Sequence, residues 1–148
     1  MFETTIDTPE DEVKRADHLV YVSLKYTRTA DIMKNAMKRM IAAFELSFTE
    51  YLEHMKEEGK LEELPGSAKE RSILVREEIG NQGKKFLTLY NMLKKIDKAE
   101  YEAFEEFRKN VTLKTKGSKP VSIKMDDLYK FLEITKEFIM FMRQKIRA

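Results

Sequence analysis

This sequence predicts an all-α fold, an antiparallel bundle of about five helices with a long basic loop before the last one. Three observations carry that expectation. Apolar residues recur every three or four positions along most of the chain, capping residues stand before those runs, and only five Gly and three Pro interrupt 148 residues. At this length a single domain spanning 1–148 can bury a core without disulfides or a metal. Apolar residues make up 42% and charged residues 36%, too apolar for a disordered chain and dense enough in charge to give an ionic surface.

The first helix is expected from about Pro9 to Arg28, with Thr8 as N-cap, Pro9 in the first turn and Glu10, Asp11 and Glu12 suited to the positive end of the helix dipole. Its middle, Leu19 to Tyr26, also alternates like a strand, and the cap and the length decide for helix. From Ala30 to Glu58, Met33, Met37, Met40, Phe44, Tyr51 and Met55 fall at spacings of three, four or seven, with Ile41, Phe48 and Leu52 widening the stripe. Gly59 and the Leu64-Pro65-Gly66 stretch then end the second helix.

Ser67 and Glu70 form a capping box for a third helix carrying Val75, Ile79, Phe86, Tyr90 and Leu93, in which Gly80 and Gly83 mark close packing or a bend. The Asp97-Lys98-Ala99-Glu100 stretch repeats the N-cap logic and predicts a fourth, shorter helix to about Asn110, with Tyr101, Phe104 and Phe107 on one side. Val111 to Lys124, with Gly117, Ser118 and Pro120 among β-branched residues, reads as a loop or a marginal hairpin. A final helix from about Met125 places Leu128, Phe131, Leu132, Phe138, Ile139, Met142 and Ile146 inward and ends in Arg143, Lys145 and Arg147.

The chemistry that this pattern allows is narrow. With no Cys there is no disulfide framework, thiolate nucleophile or Cys-based zinc site, and a reducing cytoplasm is the expected compartment. No apolar run reaches the ~18 residues of a membrane span, and Met1 to Glu12 is acidic where a secretion signal would be basic and then apolar. Neither His is preceded at minus three by the Glu of a carboxylate-bridged metal site: Arg15 precedes His18 and Tyr51 precedes His54, so no metal and no cofactor is expected. His18, beside Asp17, is the candidate general base if a pocket lies near it, and otherwise a partly buried helix residue; His54, among charged neighbours, reads as exposed. The nine Met residues read as core at helical spacing, with Met140 and Met142 the exceptions, and the wide stripe of the second helix leaves apolar surface for a second copy.

One segment stands out. Between Arg108 and Lys124 the chain holds Arg108, Lys109, Lys114, Lys116, Lys119 and Lys124 and no Asp or Glu, although its net charge is only +2, so the remainder of the molecule is net negative. A basic loop of this kind can neutralise phosphates or meet an acidic protein surface, and its alternative is a solvated loop beside Glu100, Glu102, Glu105 and Glu106. No aromatic residue is interleaved within the loop, which argues against base stacking.

A helical bundle with an Arg108-Lys109-Asn110-Val111 stretch before its final amphipathic helix resembles the HEPN superfamily, whose members are often dimeric ribonucleases, toxins or RNA-associated modules. The family motif is an Arg, often followed by Asn, with a His after four to six intervening residues. Here Arg108 matches the Arg, Asn110 lies one place late, and Leu113, Lys114 and Thr115 occupy the positions of the His. The resemblance implies a catalytically silent relative that keeps dimerisation or RNA contact. The leading expectation is therefore a non-catalytic, homodimeric interaction protein. The alternative is an RNA-binding module using Arg108, Lys109, Asn110, Lys114, Lys116, Lys119 and Lys124, and a residual ribonuclease or a catalyst built on His18 is third.

Overall fold

Thr8 caps the first helix as its hydroxyl predicts: its Oγ1 accepts from the Asp11 N–H at 3.1 Å, and Asp11 Oδ2 accepts from the Thr8 N–H at 3.0 Å. In the computed structural model, which describes residues 7–148, α1 spans Pro9–His18 and continues through a π-helical turn, Leu19–Ser23, into the short α2, Leu24–Tyr26. The stretch that alternates like a strand is thus helical, with β-branched Val20 and Val22 inside the widened turn. Of the acidic stretch Met1 to Glu12, residues 1–6 lie outside the described residues.

The long α3, Ala30–Glu57, follows a Thr29 cap and buries the predicted stripe of Met33, Met37, Met40, Phe44, Phe48, Leu52 and Met55. It is the central rod, packed by α1 and by α4, α5 and α6, which span Ala68–Ile79, Lys84–Lys98 and Met125–Arg147. At the centre Phe44 stacks on Phe138 with ring centroids 4.7 Å apart, and Tyr90 meets the edge of Phe48 at 4.9 Å. The Tyr90 hydroxyl donates to Glu45 Oε2 at 2.7 Å; burial, with that carboxylate beside it, pushes the phenol far above its ordinary range.

Between α4 and α5 a 3₁₀ turn, Gly80–Gly83, divides the predicted third helix. Gly80 adopts φ 63° at the bend, while a Cβ on Gly83 would lie 2.1 Å from Ile79 Cδ1, a crowding with the residue four places back and not with another helix. At the start of α4 only half of the capping box forms. The Glu70 N–H donates to Ser67 Oγ at 3.1 Å, and the Glu70 carboxylate takes the Ser67 hydroxyl instead of its backbone N–H.

The predicted fourth helix is absent. Helix α5 continues through Asp97 to Lys98, Ala99 turns extended, and the chain enters strand β1, Tyr101–Phe104. Strand β1 pairs antiparallel with β2, Thr112–Thr115, and β2 with β3, Ser122–Ile123, so the segment read as a loop or hairpin is the hairpin half of a three-stranded sheet. The fold is accordingly mostly helical with a small three-stranded sheet among the described residues, in place of an all-α bundle with a basic loop before its last helix. The physical reason is tertiary. Val111, Leu113 and Ile123 bury against the bundle, and pairing β1 to β2 satisfies backbone groups that would otherwise be unmatched at this buried edge.

Helix α6 closes the bundle through Arg143. Its Nε and Nη2 donate to Glu10 Oε2 and Oε1 at 2.7 and 2.6 Å, and its Nη1 reaches Glu50, so one guanidinium joins α1, α3 and α6. That bond holds the Glu10 carboxyl below its usual range and pushes the guanidinium further up. Met142 is buried, as its inward place on the final helix predicts and not as an exception among the Met residues, while Met140 is exposed. No helix of the described residues is long and apolar enough to cross a membrane.

Candidate functional site

The sheet distributes the six cations of residues 108–124 to different places. Arg108, Lys109 and Asn110 lie in the β1–β2 turn, Lys116 and Lys119 in the β2–β3 turn at the opposite end of the strands, and Lys114 between them on the solvent face. Lys124, just past β3, returns to the first end, where its backbone N–H donates to Asp127 Oδ2 at 2.9 Å to start α6. With ~3.4 Å per strand residue, the two turns stand about 14 Å apart.

Acidic residues of β1 and of the turn after it interleave with these cations. Lys116 Nζ lies 3.6 Å from Glu102 Oε1, Lys114 is opposite Glu102 in the strand register, and Arg108 Nη1 lies 3.4 Å from Glu105 Oε2. Lys109, Lys114, Lys119 and Lys124 have no carboxylate within ion-pair distance among the described residues. The basic segment is therefore a folded sheet with a mixed-charge outer face, and the turn around Arg108 and Lys109 adjoins the exposed rings of Phe104 and Phe107.

That turn is the distinctive geometry of the molecule. Glu105 and Phe107 both have positive φ, 54° and 66°, a conformation that L side chains avoid. The turn is pinned there by the start of α3: the Phe107 N–H donates to the Arg28 carbonyl at 2.7 Å, and Glu106 Oε2 accepts from the Ala30 N–H at 3.0 Å, capping the helix with a negative charge from outside it. Tyr101 of β1 donates its hydroxyl to Asp31, and Lys34 lies 5.1 Å over its ring; hydrogen bonding to that carboxylate, with some burial, pushes the phenol up to about 12. Arg28 Nε is buried beneath this connection without a hydrogen-bond partner.

What the pinned turn displays is apolar. Phe107 is 73% exposed and Tyr26, near the end of the first rod, 80% exposed. Tyr21, Val22 and Phe104 are exposed at the same end, with Tyr21 stacked on Tyr129 of α6 at 5.3 Å. These five account for most of the exposed large hydrophobic residues, Ile73 and Met140 being elsewhere. The sequence pattern assigns Phe104 and Phe107 to the buried side of a helix, so this surface was missed; the signal available was the run of β-branched residues after Asn110, which asks for a partner strand.

The histidines also differ from expectation. His18 is exposed, and Asp17 beside it turns away to bond Lys136 Nζ at 2.7 Å, so it does not orient the imidazole. His54 is half-buried and lies 2.8 Å from Glu58. Among the described residues no group of three or more His, Asp or Glu is placed to hold a metal ion. No family model, no curated protein and no solved structure matches this chain.

Proposed function

We propose that this protein is a non-catalytic helical interaction module that pairs with a second copy of itself through the aromatic end of the bundle. One observation carries this reading: Phe107 is held outward, at positive φ, by hydrogen bonds to the start of α3. The turn's hydrogen bonds serve the start of α3, but the exposed ring itself adds little to the fold, and rings of this kind act as anchors at interfaces. Arg108 and Glu105 put both signs of charge beside the ring, which suits an isologous two-fold contact in which each charge meets its opposite on the other copy. Under this reading the HEPN resemblance describes a relative that keeps pairing without the motif His.

Sedimentation equilibrium of the full chain, with and without Tyr26→Ser and Phe107→Ser together, tests it. A reversible dimer that the double substitution dissociates is the expected result; a strict monomer at high protein concentration overturns the reading.

A second reading has its own observation. The objection that the basic segment lacks aromatic residues weakens once Phe104, Phe107 and Tyr26 are exposed beside Arg108 and Lys109, the combination that single-stranded RNA uses for stacking and phosphate contact. Filter binding across a salt series decides between the two. RNA binding requires salt-sensitive affinity whose slope falls when Arg108 and Lys109 become Ala, and this reading fails if the slope is unchanged there and in Lys114, Lys116 and Lys119→Ala variants.

A further inference from the structure

On the seam between α1 and α3, a groove of about 480 Å³ is lined by Lys14, Arg15, His18, Leu19, Asn35 and Arg39. Five of these six side chains offer N–H donors or positive charge, and no carboxylate lines the space. Lys14 and His18 are one helical turn apart on α1, as are Asn35 and Arg39 on α3, so the antiparallel helices face two rows of donors across the groove.

The groove has a buried support. Glu12, only 4% exposed, directs Oε1 to Arg15 Nη1 at 2.9 Å and Oε2 to Arg39 Nη1 at 3.4 Å, fixing one guanidinium from each helix. Arg15 also meets Asp7 at 3.1 Å, so its charge is answered twice. Arg39 shares Glu12 and keeps Nε and Nη2 without another partner among the described residues, and Lys14 has no carboxylate within ion-pair distance among them. A carboxylate buried beneath two guanidiniums orients them while leaving the groove itself positive.

We infer that this groove binds a phosphate group, with Arg39 as the bidentate contact, Lys14 as the point charge, and His18 and Asn35 as donors from opposite walls. Phosphate fits this set better than a carboxylate does, because its oxygens are arranged tetrahedrally and can be met from both walls at once, whereas a planar carboxylate is satisfied by one fork. The phosphate is either a free or terminal monoester or a diester in a nucleic-acid strand, and both present the same oxygens. The inference is independent of pairing at the aromatic end.

The test is an NMR titration of the full-length protein with inorganic phosphate, adenosine 5′-monophosphate and a short oligouridylate without terminal phosphates. His18 and His54 are the two histidines of the chain, so His54, paired with Glu58, serves as the internal control. Saturable movement of the His18 and Asn35 signals with His54 unmoved is expected, with affinity about tenfold weaker in Arg39→Gln and in Lys14→Ala. Lys14→Ala leaves the Glu12 pairs intact, so it remains informative if Arg39→Gln unfolds. Response to inorganic phosphate and the monophosphate alone identifies a monoester site, and tighter response to the oligonucleotide a strand-binding site. Linear, unsaturated shifts with all three, or affinity unchanged in a folded Lys14→Ala protein, overturn the inference.

Discussion

Replacing Phe107 by Gly separates display from support. A phenylalanine that holds a core together loses roughly 3–5 kcal/mol on truncation. Phe107 is 73% exposed, so of the roughly 200 Å² an aromatic side chain presents, only about 50 Å² is covered. At about 25 cal/mol/Å² the lost burial is about 1.3 kcal/mol, an upper value because the unfolded chain also covers some of it. Against that stands φ 66°, a conformation costing an L residue roughly 1–2 kcal/mol and glycine almost nothing. Glycine's larger unfolded-state entropy removes about 0.5–1 kcal/mol of the gain. The terms nearly cancel, and urea unfolding at a protein concentration below the dissociation constant of the proposed dimer should find Phe107→Gly within about 1 kcal/mol of the parent. Pairing behaves differently. An interface anchor is worth about 2 kcal/mol or more, and a two-fold contact loses it on both copies, so the association constant should fall on the order of a thousandfold in sedimentation equilibrium. A loss of about 3 kcal/mol in stability, or an unchanged association constant, refutes the reasoning.

Glu106→Ala removes the outside cap from the Ala30 N–H and should lower stability by about 1 kcal/mol, read as a shifted urea midpoint with unchanged slope. Gly83→Ala drives a methyl against Ile79, which is nearly buried and has little room to turn, and should cost about 1–3 kcal/mol, while Gly66→Ala, with open space around it, should change little. The Tyr101 phenol is raised in the folded state from 10.0 to about 12 by Asp31, so its contribution is complete below pH 10.0 and lost as pH rises through about 12. Tyr101→Phe should flatten that part of the alkaline unfolding curve. The Glu10 carboxyl is lowered from 4.5, so its contribution is complete above pH 4.5 and lost as pH falls through the folded value; Arg143→Gln should reduce that acid dependence in a pH series of thermal melts.

The helices were legible because their signals are local. Thr8 and Ser67 each cap the helix that follows, and the α3 stripe from Met33 to Met55 is buried where helical spacing puts it. Groups whose partners are distant in sequence were not legible. Glu12 reads as one more first-turn acid, yet it is buried because Arg39 comes from another helix to meet it, and Glu106 reads as solvent-facing although it caps a helix 76 residues earlier in the chain. His18 reads as a candidate base beside Asp17 or a partly buried helix residue, but it is exposed, adjacent helix residues point apart, and Asp17 bonds Lys136 of α6.

The misassigned segment Asp97–Asn110 bears directly on function. As a helix it would bury Phe104 and Phe107 and leave Arg108 to Lys124 as a flexible, purely basic loop, a form that favours phosphate contact without stacking. As strand and turn it does the reverse: Glu102 and Glu105 answer Lys116 and Arg108, the remaining cations divide between two ends of a sheet, and the rings come to the surface. Tyr101, Phe104 and Phe107 stand three apart, a spacing that fits a helix face, so local pattern favoured the wrong structure. Burial of Val111, Leu113 and Ile123 by the bundle decided for the sheet, because backbone groups at that edge need β1 as a partner. A change that returned residues 99–110 to helix would therefore remove the exposed rings and the Glu106 cap together. Association and α3 stability should fail in concert there, whereas Phe107→Gly separates them.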